Sequence, residues 1–266
     1  MKILNHYKNL VSVIVVCYNE DKANIQKTLD SIISQTYEEI ELIVIDGGSN
    51  KETIEAFNQY KTYINFFQSE PDNGIFDGMN KGVLKANGKW ISFMNIGDFF
   101  FEPSSLTKLL KQAKGQTDII YGDKMTNKNT IDKPPKKINK YVLFSSGICH
   151  QTMLIKRCLF EQVGYFDLTL TLGADPDWNI RAFQFGAVFQ YVPITVCFYK
   201  GNGASENYLL RRKFQKKLVK QRFTNFERFT FSIRFFMKKI IMRIITLNFN
   251  VPFNLKIMCS KFKKLS

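Results

Sequence analysis

Among 266 residues there are two histidines, His6 and His150, and five scattered cysteines, Cys17, Cys149, Cys158, Cys197 and Cys259, with no CxxC pair. Paired-cysteine zinc sites are thereby excluded, and the odd, widely spaced count argues against a disulfide framework, so reduced thiols are expected. No uncharged apolar run approaches the roughly 18 residues that mark a membrane span. The apolar stretch LVSVIVVCY follows Lys2 and Lys8 but ends in Asn19-Glu20 instead of a small-residue cleavage site, so it reads as a core strand and not as a secretion signal. GVLKANGKW (82–90) spaces its glycines six apart and ends in Trp90, unlike a phosphate-cradling loop. GNGASE (201–206) lacks the third glycine and the strand-to-helix context of a dinucleotide fingerprint. Nucleotide hydrolysis and hydride transfer have no motif behind them.

The scarcity of acids is local. From Asn207 to Ser266 there are sixteen Lys or Arg and one acid, Glu227, which accounts for the whole formal charge of +15. The preceding 206 residues hold 22 bases and 22 acids and are neutral. The body is long enough, and at 45% hydrophobic apolar enough, to bury a large core.

Residues 11–18 are β-branched and continuously apolar, as in a parallel strand buried on both faces. Ile25, Leu29, Ile32 and Ile33 then mark one helix face. A strand at 40–46, a polar helix at 51–62, a short strand at 64–68, a helix from 75 (Ile75, Met79, Val83 and Ala86 on one side) and a strand at 89–94 follow. Strands alternating with helices imply a parallel sheet covered on its faces. Pro103 is expected in the first turn of a helix buried through Leu106, Leu109, Leu110 and Ala113. A strand at 117–123, an irregular polar segment at 124–140, a buried HQTMLI segment, helices at 156–163 and 175–185, and a strand pair AVFQYV and ITVCFY complete the body.

Two of these strands run straight into an aspartate: IELIVID into Asp46, and WISFMNIGD into Asp98. In an open α/β sheet the ligand crevice lies outside the carboxyl ends of the strands, so both acids belong there. A turn in which Asp46 bonds nearby backbone amides is the competing reading.

The series VSVIVVCYNE, IELIVIDGGSN, SEPDNGIFDGMNKG, WISFMNIGD, HQTMLIKRCLFEQVGYFD, GADPDWNIR and YKGNGAS resembles, in order and spacing over about residues 10–205, the inverting glycosyltransferases of family 2. That resemblance implies a GT-A fold, three α/β/α layers around a mainly parallel mixed sheet over 1–205; the shift to basic and aromatic composition after it marks a basic helical tail over 206–266. It implies that Tyr18 and Asp46 hold the nucleotide base, that Asp72 helps close the same pocket, and that Asn95 and Asp98 occupy the metal-and-ribose motif. Asp98 is then the ligand of Mg²⁺ or Mn²⁺, although Asn95 and Gly97 replace two acids common in relatives. Asp175 is implied as the base that deprotonates the acceptor; as a plain helix cap before Pro176 it has an equally ordinary reading. Asp177 is expected to face solvent at the helix start. His150 is placed on the acceptor side.

In the tail, Phe229, Ile233, Phe236, Ile240, Ile244 and Leu247 recur at helical spacing with bases elsewhere on the wheel, the pattern of an interfacial membrane helix. Nucleic acid is the rival partner; the neutral body and the helical spacing argue against it. The expected activity is transfer of a sugar from a nucleotide donor, UDP-linked by family habit, to a lipid-linked or polysaccharide acceptor for the cell envelope. The expected location is cytoplasmic, on the inner membrane face. Because acids are missing at Asn95 and Gly97, a catalytically weakened sugar-nucleotide binder or scaffold is the second reading.

Overall fold

The structure is a computed structural model that describes residues 9–170, 172–201 and 208–230. The chain divides into two compact units, residues 1–202 and 203–266.

All seven residues of β1 (Val11–Cys17) are buried, which is why its sequence has no polar alternation. Strand β1 pairs in parallel with β2 (Ile40–Asp46) on one side and β4 (Trp90–Asn95) on the other, and β2 pairs in parallel with β3 (Phe66–Ser69). Between them run α1 (Lys22–Ile33), α2 (Lys51–Ala56, continued by a 3₁₀ turn at Asn58–Tyr60) and α3 (Ile75–Lys85). Helix α1 starts where the Asp21 carboxylate accepts from Asn24 N–H, and it buries Ile25, Leu29 and Ile32. In α3 the buried face carries Phe76, Met79 and Val83, whereas Ile75, expected on that face, is exposed at the first turn.

The second half extends the sheet in mixed directions. Strand β8 (Met153–Lys156) lies antiparallel between β4 and β6 (Ile119–Thr126); β9 (Phe189–Tyr199) runs parallel to β6; and β5 (Phe99–Phe100) pairs antiparallel with β9. The order is β3-β2-β1-β4-β8-β6-β9-β5, with β7 (Ile131–Asp132) on β6 as the irregular hairpin of the 124–140 segment. Helices α4 (Ser105–Gln112), α5 (Lys140–Ser145), α6 (Cys158–Val163) and α7 (Ala174–Phe185) complete this unit. Pro103 precedes α4 and its cap Ser104 instead of entering the first turn.

Two expected strands at 187–199 are one. Strand β9 passes through the exposed Pro193 without ending, because register shifts around Asp123 of β6 absorb the missing ladder bond. Gly122 permits this: a Cβ there would lie 2.6 Å from the Ile194 carbonyl oxygen.

Since β6 runs with β1 and β9 runs with β6, the carboxyl ends of β1, β2, β4, β6 and β9 share one edge. Cys17, Asp46, Asn95 and Lys200 are all delivered there.

In the second unit, α8 (Tyr208–Arg222) is followed by a further helical turn that begins with a capping box: Thr224 N–H donates to Glu227 Oε2 and Glu227 N–H to Thr224 Oγ1. Phe226 and Phe229 are exposed. Ile233, Phe236, Ile240, Ile244 and Leu247 of the expected apolar stripe lie outside the described residues. Among the described residues no helix is long and apolar enough to cross a membrane.

Candidate functional site

At the end of β2, Asp46 is fully buried and every face of its carboxylate is taken. Oδ2 accepts from the N–H groups of Gly48 (3.0 Å) and Ser49 (2.8 Å) and from Ser69 Oγ (2.7 Å), while Oδ1 accepts from Ser49 Oγ. The carboxylate therefore braces the 47–49 turn, as Asx turns do. That turn is tied to the loop after β1, where Asn19 N–H donates to Ser49 Oγ and Asn50 N–H to Asn19 Oδ1. Tyr18, in that loop, is 64% exposed. Half-buried Asp72 faces the same turn: a Cβ on Gly47 would lie 2.9 Å from its Oδ2, and its Oδ1 accepts from Gly74 N–H. Tyr18, Asp46 and Asp72 thus cluster at the β1 and β2 ends.

A second cluster forms two strands away at the end of β4; at 4.7–4.9 Å per strand that is about 10 Å. Asn95 Nδ2 lies 3.2 Å from His150 Nε2, and His150 Nδ1 lies 3.7 Å from Asp175 Oδ2. Asn95 Oδ1 is buried without a partner. Burial pushes the His150 pKa down, but the Asp175 carboxylate, with Cys149 and Asp98, outweighs it and leaves the imidazole above its ordinary 6.5. Asp98 is buried; its Oδ2 accepts from Gln151 Nε2 (2.6 Å) and its Oδ1 from Lys200 N–H (2.8 Å). Burial raises the Asp98 pKa, and these two donors and the nearby charges of His150 and Lys200 oppose the rise.

The helix that presents Asp175 is capped differently from the expectation. Gly173, in the left-handed region at φ 76°, is the N-cap of α7, and Asp175 stands within the first turn. There its charge favours the helix N-terminus. Asp177 does not face solvent. It is fully buried, with Oδ2 accepting from Arg181 Nε at 2.9 Å.

Sequence reasoning missed Gln151, Lys200, Cys149, Cys197 and Lys124. Gln151 and Lys200 stood inside quoted motifs, beside His150 and at the head of YKGNGAS, but nothing local marks an uncharged amide or a backbone N–H as a carboxylate's partner. Cys149 donates to Gln151 Oε1 at 2.8 Å and lines a cavity of about 340 Å³ with Gly122, Lys124, Pro135, Gly147 and Thr152. The hydrogen bond from Cys197 is the largest influence holding the Cys149 thiol down to about 7; burial opposes it, and Lys124 and His150 assist. Its thiolate fraction therefore grows as pH rises through about 7. Iodoacetamide labelling read by peptide mass spectrometry is expected to half-saturate in rate near that pH at Cys149, against roughly 8.5 for an unperturbed thiol. A half-point at the unperturbed value would contradict the cluster.

Mg²⁺ is normally held by one or two carboxylates together with phosphates and water. Here both Asp98 oxygens are engaged by protein donors, Asn95 supplies one neutral oxygen, and Gly97 supplies none. Among the described residues no group of three His, Cys, Asp or Glu is placed to hold a metal ion. The residues do not fit the Mg²⁺ or Mn²⁺ site that the resemblance implies, and Asp98, expected as a metal ligand, instead organises Gln151 and Lys200.

Residues 12–165 match the profile of "Glycosyl transferase family 2". A "PGL/p-HBAD biosynthesis glycosyltransferase" of Mycobacterium bovis is 31% identical over 196 residues, covering 71% of this chain and 77% of that protein. Staphylococcus aureus TarS 1–349 in complex with UDP-GlcNAc superposes with a TM-score of 0.63 at 16% identity, over 77% of this chain and 65% of that one. The mannosyltransferase PcManGT from Pyrobaculum calidifontis, in complex with GDP-Man and Mn²⁺, gives 0.63 at 19% identity, over 81% of this chain and 64% of that one. The chain thus spans just under two thirds of each of these two structures, and 40% of the longer TarS chain. The fold is that of GT-A enzymes. With the family profile covering more than half of the sequence, the chain belongs to glycosyl transferase family 2 and is a glycosyltransferase.

Proposed function

We propose that this protein transfers a sugar from a nucleoside diphosphate donor, a UDP-sugar, to a lipid-linked or polysaccharide acceptor of the cell envelope, with inversion at the anomeric carbon. The observation that carries the proposal is the line Asn95, His150, Asp175 beside the carboxyl ends of parallel strands. Both imidazole nitrogens of His150 face protein groups, so the imidazole has no free lone pair for an acceptor. Asp175, more exposed at 26% than His150 at 13%, keeps Oδ1 for that task.

In the reaction the acceptor oxygen bonds to the anomeric carbon while the bond from that carbon to the phosphate oxygen breaks. The electron pair leaves with the nucleoside diphosphate, and the acceptor proton passes to Asp175. The His150 ring, 3.7 Å from Asp175 Oδ2, fixes that carboxylate in place and leaves its other oxygen facing the acceptor. Asp46 fixes the 47–49 turn against which the base lies, with Tyr18 and Asp72 closing on it. The unpartnered Asn95 Oδ1 is suited to a ribose hydroxyl. The cavity lined by Cys149 and Thr152, which flank His150 and Gln151 in the chain, is assigned to the acceptor side.

Support for a UDP donor comes from the TarS complex; the Mn²⁺ of the Pyrobaculum enzyme belongs to that protein, and the donor set here does not call for one. The basic tail supports residence on the cytoplasmic face of an anionic membrane, tested by vesicle flotation with and without residues 207–266. Incubating the full chain with a panel of nucleotide sugars and short glycan or polyprenyl-phosphate acceptors, read by mass spectrometry, is expected to give a glycosylated product and free nucleoside diphosphate with one donor. Binding of nucleotide sugars with neither transfer nor hydrolysis would favour the second reading, a sugar-nucleotide scaffold, for which the neutral Asn95 and Gly97 are the motivating residues.

A further inference from the structure

Departure of a nucleoside diphosphate needs a cation beside the forming phosphate charge, and the carboxylates that would hold a metal are missing. A different cation, that of Lys200, lies over residue 97. Gly97 has φ 95°, and a Cβ on it would lie 2.6 Å from Lys200 Cδ and 3.2 Å from Lys200 Nζ. The space over residue 97 is thus filled by the Lys200 side chain, and an acidic side chain at 97 and Lys200 in this position exclude each other.

Lys200 is held there by its backbone. Its N–H donates to Asp98 Oδ1, its carbonyl accepts from Asn127 Nδ2 at 2.9 Å, and Gln151 fixes the other oxygen of Asp98. The ammonium itself is weakly committed: the side chain is 45% exposed and its ion pair with Glu20 spans 3.8 Å. Lys124, by contrast, sits over the Tyr199 ring and pairs with Asp132. Because β9 runs parallel to β6 and so with β1, Lys200 emerges at the edge where Asn95 and the Asp46 turn lie.

Resting on the donor reading above, we infer that Lys200 is the group that contacts the donor diphosphate, and that sugar transfer by this enzyme proceeds without a divalent cation. As the bond to the anomeric carbon breaks, the ammonium hydrogen-bonds the phosphate oxygen that takes the electron pair; no proton need be exchanged. Asp98 is then a positioning residue, acting through the Lys200 N–H. Gly97 makes room for the lysine, which turns an apparent loss of acids into a replacement.

The test uses the full chain, UDP as binding probe and the donor found active in the panel. UDP binding and transfer are expected to be unchanged between EDTA and added Mg²⁺ or Mn²⁺. Lys200→Ala and Lys200→Gln, each verified as folded by circular dichroism, are expected to lose about 10²–10³ in kcat/KM, the usual consequence of deleting one electrostatic stabiliser. Lys200→Arg should restore most of the UDP affinity, and Mn²⁺ should not rescue Lys200→Ala. Lys51→Ala, an exposed lysine on α2, serves as the unaffected control. Transfer that stops in EDTA and returns with Mg²⁺ or Mn²⁺ would overturn the inference while leaving the glycosyltransferase reading intact, as would wild-type kinetics in Lys200→Ala. Failure to bind UDP or turn over any nucleotide sugar, with or without metal, would overturn the donor reading and this inference with it.

Discussion

Asp175→Asn is expected to leave a folded protein that binds UDP as the wild type does and transfers sugar about 10²–10⁴ times more slowly, the range that a positioned general base contributes. The amide preserves shape and the first-turn position in α7 but can no longer accept the acceptor's proton. It also removes the anion that lifts the His150 pKa, so that pKa should fall toward or below 6.5, observable as a shifted imidazole titration by NMR. The sign matters for stability as well. A histidine whose folded pKa is raised contributes stability that is full below its unfolded value of 6.5 and is lost as pH rises through the folded value. Asp175→Asn should therefore lower the melting temperature slightly on the acid side and leave it unchanged on the alkaline side. An uncompromised transfer rate in Asp175→Asn would remove Asp175 from the chemistry and return it to its ordinary role at a helix N-terminus.

What the sequence disclosed, and what it withheld, follows from how far apart the interacting groups lie along the chain. The parallel half of the sheet was readable because seven-residue apolar runs such as Val11–Cys17 have one stable place, the middle of a covered sheet. The acid-tipped strands placed Asp46 and Asp98 at the carboxyl edge for the same reason. Their roles were less accessible. Whether Asp46 faces a ligand or its own turn depends on Ser49 and on Ser69, the latter 23 residues away. Whether Asp98 is free depends on Lys200, 102 residues away. Neither separation leaves a periodic mark. The strand pair at 187–199 failed because Pro193 normally argues against a continuous strand, and the bulge of β9 that holds it shows only in the pairing, where Val192, Pro193 and Ile194 face Gly122 of β6 alone. Gly97 looked like a deleted ligand since sequence records the missing carboxylate and not the lysine that fills its space.

The two acids at the start of α7 show how little spacing alone says about role, and Asp177→Ala should display it most strongly. Asp177 is fully buried, and it pairs with Arg181, whose Nη1 donates to the Val163 carbonyl at 2.7 Å and whose Nη2 donates to that of Tyr165 at 2.6 Å. One guanidinium thereby joins α7 to the carbonyls at and just beyond the C-terminus of α6, where a positive charge is favoured. Trp178 reinforces the junction by donating to the Gly164 carbonyl and stacking on Phe160 at 4.6 Å. Removing Asp177 leaves that cation largely desolvated and uncompensated, a situation that costs about 3–5 kcal/mol. For a unit of this size that is roughly 10 °C in melting temperature. The double variant Asp177→Ala/Arg181→Leu should recover part of the loss, because the stranded charge is gone, but not all of it, because the Val163 and Tyr165 carbonyls lose their donor. Asp175→Asn and Asp177→Ala thus have opposite signatures: the first slows transfer about 10²–10⁴-fold in a folded protein, the second weakens the protein while UDP binding persists below its melting transition. A melting temperature in Asp177→Ala equal to that of the wild type would mean that Arg181 has another counter-ion in solution, and that the α6–α7 junction is held by the aromatic stack alone.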